Sequence, residues 1–178
     1  PVPDAAGVAA TARMLALVEG LGPQDQVVAL ISGGGSALLC APAHEMVLAE
    51  KQAVNAVLLA SGAPISAMNL LRKHLSLVKG GQLAARAAPA RMLSLLISDV
   101  PGDDPGMIAS GPTVGDDSTG ADALAVIRRW SIPVPARAIE ALEEGATGVI
   151  PIGDARLMHA QTQVIAAPAQ SLAAAAAE

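Results

Sequence analysis

A chain of 178 residues, 52% of them hydrophobic, is long enough for one domain with a sizeable core and too short for two comfortable ones. A net charge of −5 with Trp130 as the lone aromatic residue excludes nucleic acid as a partner, because phosphate neutralisation needs clustered Lys and Arg and single strands need aromatic platforms. Alanine carries much of the hydropathy and no apolar run approaches the roughly 20 residues of a membrane span, so no membrane is expected either.

The single cysteine, Cys40, rules out an internal disulfide framework and suits a small buried hydrophobe in a reducing compartment; a cytoplasmic protein is expected. The chain opens at Pro1 and stops at Glu178 within an alanine run, so both ends are expected to be cut.

The pattern predicts a helix over 5–19, with Val8, Met14, Leu15 and Val18 on one stripe and Asp4 as N-cap. A turn over 20–25 leads to 27–31, a short continuous apolar run of the kind found in buried parallel strands. Helices are expected over 43–59, 65–75 and 77–86, the last interrupted at Lys79-Gly80-Gly81. The run 92–97 is the second clear strand. Helices separate it from the first, which implies parallel strands joined by a right-handed crossover, and hence an α/β fold. Short amphipathic helices are expected over 122–130 and 137–144, a weaker strand over 163–166, and a final helix from Pro168.

Both clear strands end in segments that can carry chemistry. Ser32-Gly33-Gly34-Gly35-Ser36 lets backbone approach a ligand closely and can converge N–H groups on an oxyanion; it is equally a tight strand-to-helix turn. It is not a Walker A loop and lacks the G-x-G-x-x-G spacing of nicotinamide enzymes. Ile97-Ser98-Asp99-Val100-Pro101-Gly102-Asp103-Asp104-Pro105 places three carboxylates within six residues. Asp99, Asp103 and Asp104 could hold Mg²⁺, which takes one or two carboxylates plus phosphate oxygens, although Asp103 and Asp104 also fit plain turn chemistry. Asp99 follows the strand directly, at the carboxyl end where ligands of open α/β sheets bind. Ser110 and Gly111 belong to a third small-residue loop compatible with phosphate oxygens. Asn69, Arg72, Lys73, His74, Ser76 and Lys79 form the densest basic cluster. Asn69, Arg72 and Lys73 share a helical face by their spacing. Alone that is a solvated face; beside phosphate-binding loops, Arg72 becomes a clamp for carboxylate or phosphate.

The stretches Pro1-Val2-Pro3-Asp4, Leu30 to Leu39, Arg72-Lys73-His74-Leu75-Ser76, Lys79-Gly80-Gly81, Ile97 to Pro105 and Ile108 to Val114 resemble the class II glycerate kinases, the glycerate 2-kinases of the MOFRL family. The resemblance covers most of 1–166 and is strongest over 30–114. It implies a three-layer, Rossmann-like α/β domain with a mostly parallel sheet, incomplete at both ends, as part of the family's N-terminal domain with the C-terminal MOFRL domain absent. It also implies ATP-dependent phosphorylation of D-glycerate to 2-phosphoglycerate with Mg²⁺, by a fragment expected to be inactive alone. Under that reading Ser32, Gly33, Gly34, Gly35 and Ser36, with Ser110 and Gly111, bind the nucleotide; Asp99, Asp103 and Asp104 hold the metal; and Arg72, Lys79 and Asp99 act on the substrate. The expected partners are the small-molecule substrate and nucleotide, with a second copy of the chain in a homodimer. Two rivals stand beside it: an oxidoreductase acting on hydroxypyruvate, and a non-catalytic module binding sugar phosphates or other anions.

Overall fold

The structure, a computed structural model, describes residues 2–146, 148–168, 172, 175 and 176. In chain order, α1 (Ala5–Val18) leads to β1 (Gln26–Ser32), the single-turn α2 (Gly35–Leu38), α3 (Leu48–Ala60), α4 (Ile65–His74), α5 (Gln82–Ala87), β2 (Arg91–Ile97), α6 (Gly120–Trp130), α7 (Ala136–Glu143) and β3 (Ala160–Ala166). Short 3-10 turns lie at Ile108–Ser110 and Ala155–Leu157. The helix expected from Pro168 falls largely outside the described residues.

The fold is α/β with a parallel sheet in the order β1-β2-β3. Ser32 stands opposite Ile97, so β1 and β2 end flush and the segments leaving them start side by side. Helices cover one face, where α1, α5 and β2 share a core through Leu15, Val18, Leu83, Ala84 and Met92. A second core lies among the helices themselves, built from Val54, Leu58, Leu71, Ala123, Ile127 and Leu142. The other sheet face carries no helix among the described residues. Val28 is 62% and Leu30 77% exposed, so β1 is not the fully buried strand its apolar run predicts. A continuous apolar run means cover on both faces only where both covering layers are present.

Three helix boundaries differ from the pattern. The segment expected to open a helix at 43 is a loop: Pro42 bridges to Ser76, and His44 and Glu45 take positive φ, which a right-handed helix cannot contain. The helix begins at Leu48, where the Glu50 carboxylate accepts the Val47 N–H at 2.9 Å. The helix expected over 77–86 shrinks to Gln82–Ala87 because Gly80 and Gly81 both take positive φ. A Cβ on Gly81 would lie 3.0 Å from Ile150 and 3.2 Å from the Val114 carbonyl, so the close approach itself needs glycine. The helix expected from 122 starts two residues earlier, since Thr119 and Asp122 cap each other reciprocally. Asp4 caps α1 as expected, its Oδ1 accepting the Gly7 N–H at 2.7 Å.

Candidate active site at the carboxyl ends of the strands

The glycine loop and the acidic loop touch. Because β1 and β2 end flush, Gly33 comes to lie under Asp99 so closely that a Cβ on Gly33 would overlap the Asp99 carboxylate, at 1.7 Å from Oδ1 and 1.9 Å from Oδ2. With Asp99 as placed, its carboxylate fills the space a Cβ on Gly33 would take, while its other side is exposed to solvent. A carboxylate set against a glycine loop repels an approaching anion unless a cation lies between them.

A hydroxyl network braces this loop from beneath. Ser36 Oγ lies 2.9 Å from Ser110 Oγ, Ser110 donates to Asn69 Oδ1 at 3.3 Å, and Arg72 reaches the same oxygen at 3.5 Å. Ser110 and Gly111 are buried, Ser110 completely, so they support the glycine loop rather than form its ligand-facing surface. Ser110 reaches that place through consecutive left-handed residues: Ala109, Ser110 and Gly111 have φ of 51°, 63° and 58°. Such a run costs non-glycine residues roughly 1–2 kcal/mol each and persists where the surroundings over-determine it. Here they do, since the Gly80 and Gly81 N–H groups donate to the Ser110 and Gly111 carbonyls at 3.1 and 2.8 Å.

Beside this network lie two buried ammonium groups. Lys79, 3% exposed, donates to the Ser36 and Leu39 carbonyls at 2.7 and 3.0 Å; Lys51, 6% exposed, donates to the Leu75 carbonyl at 3.0 Å. Burial, helped by neighbouring Lys51 and Arg72, pulls Lys79 down to about 7, and burial pulls Lys51 down to about 8. Arg72 is half-buried, and none of the ion pairs among the described residues involves Lys51, Arg72 or Lys79. The sequence reading singled out Arg72 and Lys79 and missed Lys51. The signal was there: Lys51, Val54, Asn55 and Leu58 fall at the three-and-four spacing of the buried face of α3.

Lys73 and His74, expected in the same cluster, turn elsewhere. Lys73 pairs with Asp116 at 2.5 Å with both side chains largely buried. Ser118 donates to the other Asp116 oxygen, and its hydroxyl lies 3.0 Å from His74 Nε2. Burial alone would raise the Asp116 carboxyl, but the Lys73 and Ser118 hydrogen bonds outweigh it and hold it low. No sequence signal marks Asp116, whose partner lies 43 residues away.

His74 is fully buried, its Nδ1 has no hydrogen-bond partner, and burial holds its pKa below the ordinary value, against the opposing pull of Asp116 and Asp122. The native state keeps it neutral, whereas the unfolded chain binds a proton near pH 6.5. Stability carried by the neutral ring is therefore complete above about pH 6.5 and declines as pH falls below it. Urea midpoints measured from pH 7.5 to 5.5 should fall in the wild type and fall less in His74→Gln; parallel slopes would refute this.

As for the expected metal ligands, no group of three His, Cys, Asp or Glu side chains is placed to hold an ion among the described residues. Asp104 Oδ1 is engaged with the Gly106 N–H at 2.8 Å, and Asp103 sits at positive φ, which makes these two the turn itself. Asp99, open to solvent beside the glycine loop, fits the single carboxylate that Mg²⁺ commonly takes from protein when phosphate oxygens and water complete its shell.

A parallel sheet with a glycine turn, one carboxylate and buried cations gathered at its carboxyl end defines an α/β domain of the open-sheet kind. More particularly, the chain belongs to the DUF4147 family, the N-terminal domain of the MOFRL-family glycerate kinases: the family model, described as a domain of unknown function, matches residues 1–143. A protein of Agrobacterium vitis provisionally named hydroxypyruvate reductase is 52% identical over 99% of this chain and 40% of its own length. The D-glycerate 2-kinase of Thermotoga maritima is 47% identical over 74% of this chain and 32% of its own length. Human glycerate kinase is 45% identical over 74% of the chain. The crystal structure of the Thermotoga maritima glycerate kinase superposes with a TM-score of 0.82 at 38% identity, covering 93% of this chain and 38% of that one. The chain thus spans well under half the length of these relatives. No helix among the described residues is long and apolar enough to cross a membrane.

Proposed function

We propose that this chain is part of an ATP-dependent kinase that phosphorylates D-glycerate to 2-phosphoglycerate with Mg²⁺. The observation that carries the reading is the Asp99 carboxylate resting on Gly33, within a loop whose following residues are tied to Lys79. An acid at the mouth of an anion-binding turn, with uncompensated cations behind it, suits phosphoryl transfer, which needs charge neutralisation and positioning more than covalent chemistry. Within Ser32 to Ser36, the Gly33, Gly34 and Gly35 N–H groups would meet phosphate oxygens, the Ser36 N–H being held by the Gly33 carbonyl at 3.3 Å, and α2, only one turn long, adds little dipole. Asp99 would hold Mg²⁺, which when bound neutralises phosphate charge. Arg72 and Lys79 would bind carboxylate or phosphate charge on the substrate.

The name carried by the Agrobacterium vitis relatives, at 52% and 50% identity, favours a second reading as a hydroxypyruvate reductase. Incubating the intact protein with ATP, Mg²⁺ and D-glycerate and locating the phosphate by NMR tests the first; loss of NADH absorbance with hydroxypyruvate tests the second. 2-Phosphoglycerate without NADH oxidation is the expected result, and NADH oxidation without phosphorylation would reverse the assignment.

A further inference from the structure

Lys51 and Lys79 are nine-tenths buried, have no acidic partner among the described residues, and line one small cavity together with Arg72, Ser36, Cys40 and Asn55. Asn55, 8% exposed, lines the same cavity. Burying ammonium groups without an acidic partner is costly, and the carbonyls that receive Lys51 and Lys79 could be satisfied by water or by neutral donors. Buried cations converging on one cavity suit an anion. The cavity measures about 20 Å³, too tight for a tetrahedral phosphate and with room for one oxygen-sized group at its floor.

We propose that Lys51, Arg72, Lys79 and the Asn55 amide form a pocket for the carboxylate of the substrate, with Lys51 and Asn55 setting the requirement for an acid. The proposal rests on the kinase reading only in naming that acid as D-glycerate. Both ends of this short segment are held, Gly33 against Asp99 and the Ser36 and Leu39 carbonyls by Lys79. Filling the pocket draws protons in, because an anion favours the charged lysines. The groups facing them are Lys51 from α3, Arg72 from α4 and Cys40 after α2, with Asp4 acting on Cys40.

The test uses the intact protein at pH 8, with calorimetric titration of D-glycerate, of glycolate as the minimal carboxylate probe, and of inorganic phosphate, in buffers of different ionisation enthalpy. Glycerate and glycolate should bind with uptake of up to about one proton, shrinking toward pH 6. Lys51→Met should weaken glycerate at least about tenfold while the ATP affinity changes less than about twofold. Asn55→Asp adds an acid beside Lys51, so it should leave the melting temperature unchanged or higher yet weaken glycerate by a similar factor, which a merely structural role would not do. Wild-type glycerate affinity in both variants, absence of proton uptake, or phosphate competing better than glycolate would overturn the pocket. If glycerate is phosphorylated and both variants keep the wild-type KM, the pocket is wrong and the kinase reading stands. If glycerate is never phosphorylated yet glycolate binds with proton uptake that Lys51→Met abolishes, the pocket stands and the kinase reading falls.

Discussion

Asp99→Asn in the intact protein should lower kcat for glycerate phosphorylation by about 10²–10³-fold, the size of effect seen when one preorganised charge-stabilising group is lost from a catalytic site. The change keeps the shape of the side chain and removes its charge. Asp99 is exposed and makes no hydrogen bond among the described residues, so the melting temperature should hardly move. The Mg²⁺ concentration for half-maximal rate should rise at the same time. Gly33→Ala should reproduce much of this loss without touching a charge. Its methyl would occupy the place of the carboxylate, and displacing a catalytic group by about 1 Å can cost on the order of 10²-fold in rate. Unchanged activity and unchanged Mg²⁺ dependence in Asp99→Asn would remove Asp99 from the metal site. Unchanged activity in Gly33→Ala alone would show that the close contact is incidental.

The largest effect on stability should come from Lys73→Met. Lys73 and Asp116 pair at 2.5 Å with side-chain exposures of 6% and 20%. Removing the lysine leaves Asp116 with only Ser118 to satisfy it. Breaking a buried pair from one side costs about 3 kcal/mol, or roughly 6–12 °C in melting temperature for a chain of this size. The Lys73→Met, Asp116→Asn double variant should recover much of the loss, since the uncompensated charge is gone. The KM for glycerate should stay near the wild-type value, in contrast with Lys51→Met. A large rise in KM with no loss of stability would give Lys73, a member of the basic cluster of the sequence, a part in substrate binding.

That reversal shows where sequence reading ran out. Spacing on α4 correctly put Asn69, Arg72 and Lys73 near one another, and the chain order of apolar runs correctly implied parallel strands. Spacing says which residues share a face, but not which partner that face meets. Asp116 comes from a loop 43 residues away, and it pairs with Lys73, turning it away from Arg72 and Lys79. Ser110 and Gly111 looked like ligand-facing loop residues because small residues read as loops. A left-handed turn and two backbone hydrogen bonds from Gly80 and Gly81 placed them beneath the surface instead. Lys51 and Asn55 lay on the periodic buried face of α3 all along, where a polar residue in an apolar stripe was the overlooked signal.

What the sequence by itself determined is local and periodic: the strand-ending glycine and carboxylate loops, the parallel α/β order, the Asp4 cap and the family resemblance. These follow from alternation, helical spacing and turn chemistry, which act over a few residues. Only the tertiary structure decided that Gly33 lies under Asp99 and that Lys51 joins Arg72 and Lys79 around one cavity. The flush register of β1 against β2 and the docking of residues 76–81 against 108–112 produce those contacts, and both depend on pairings between segments far apart in the chain.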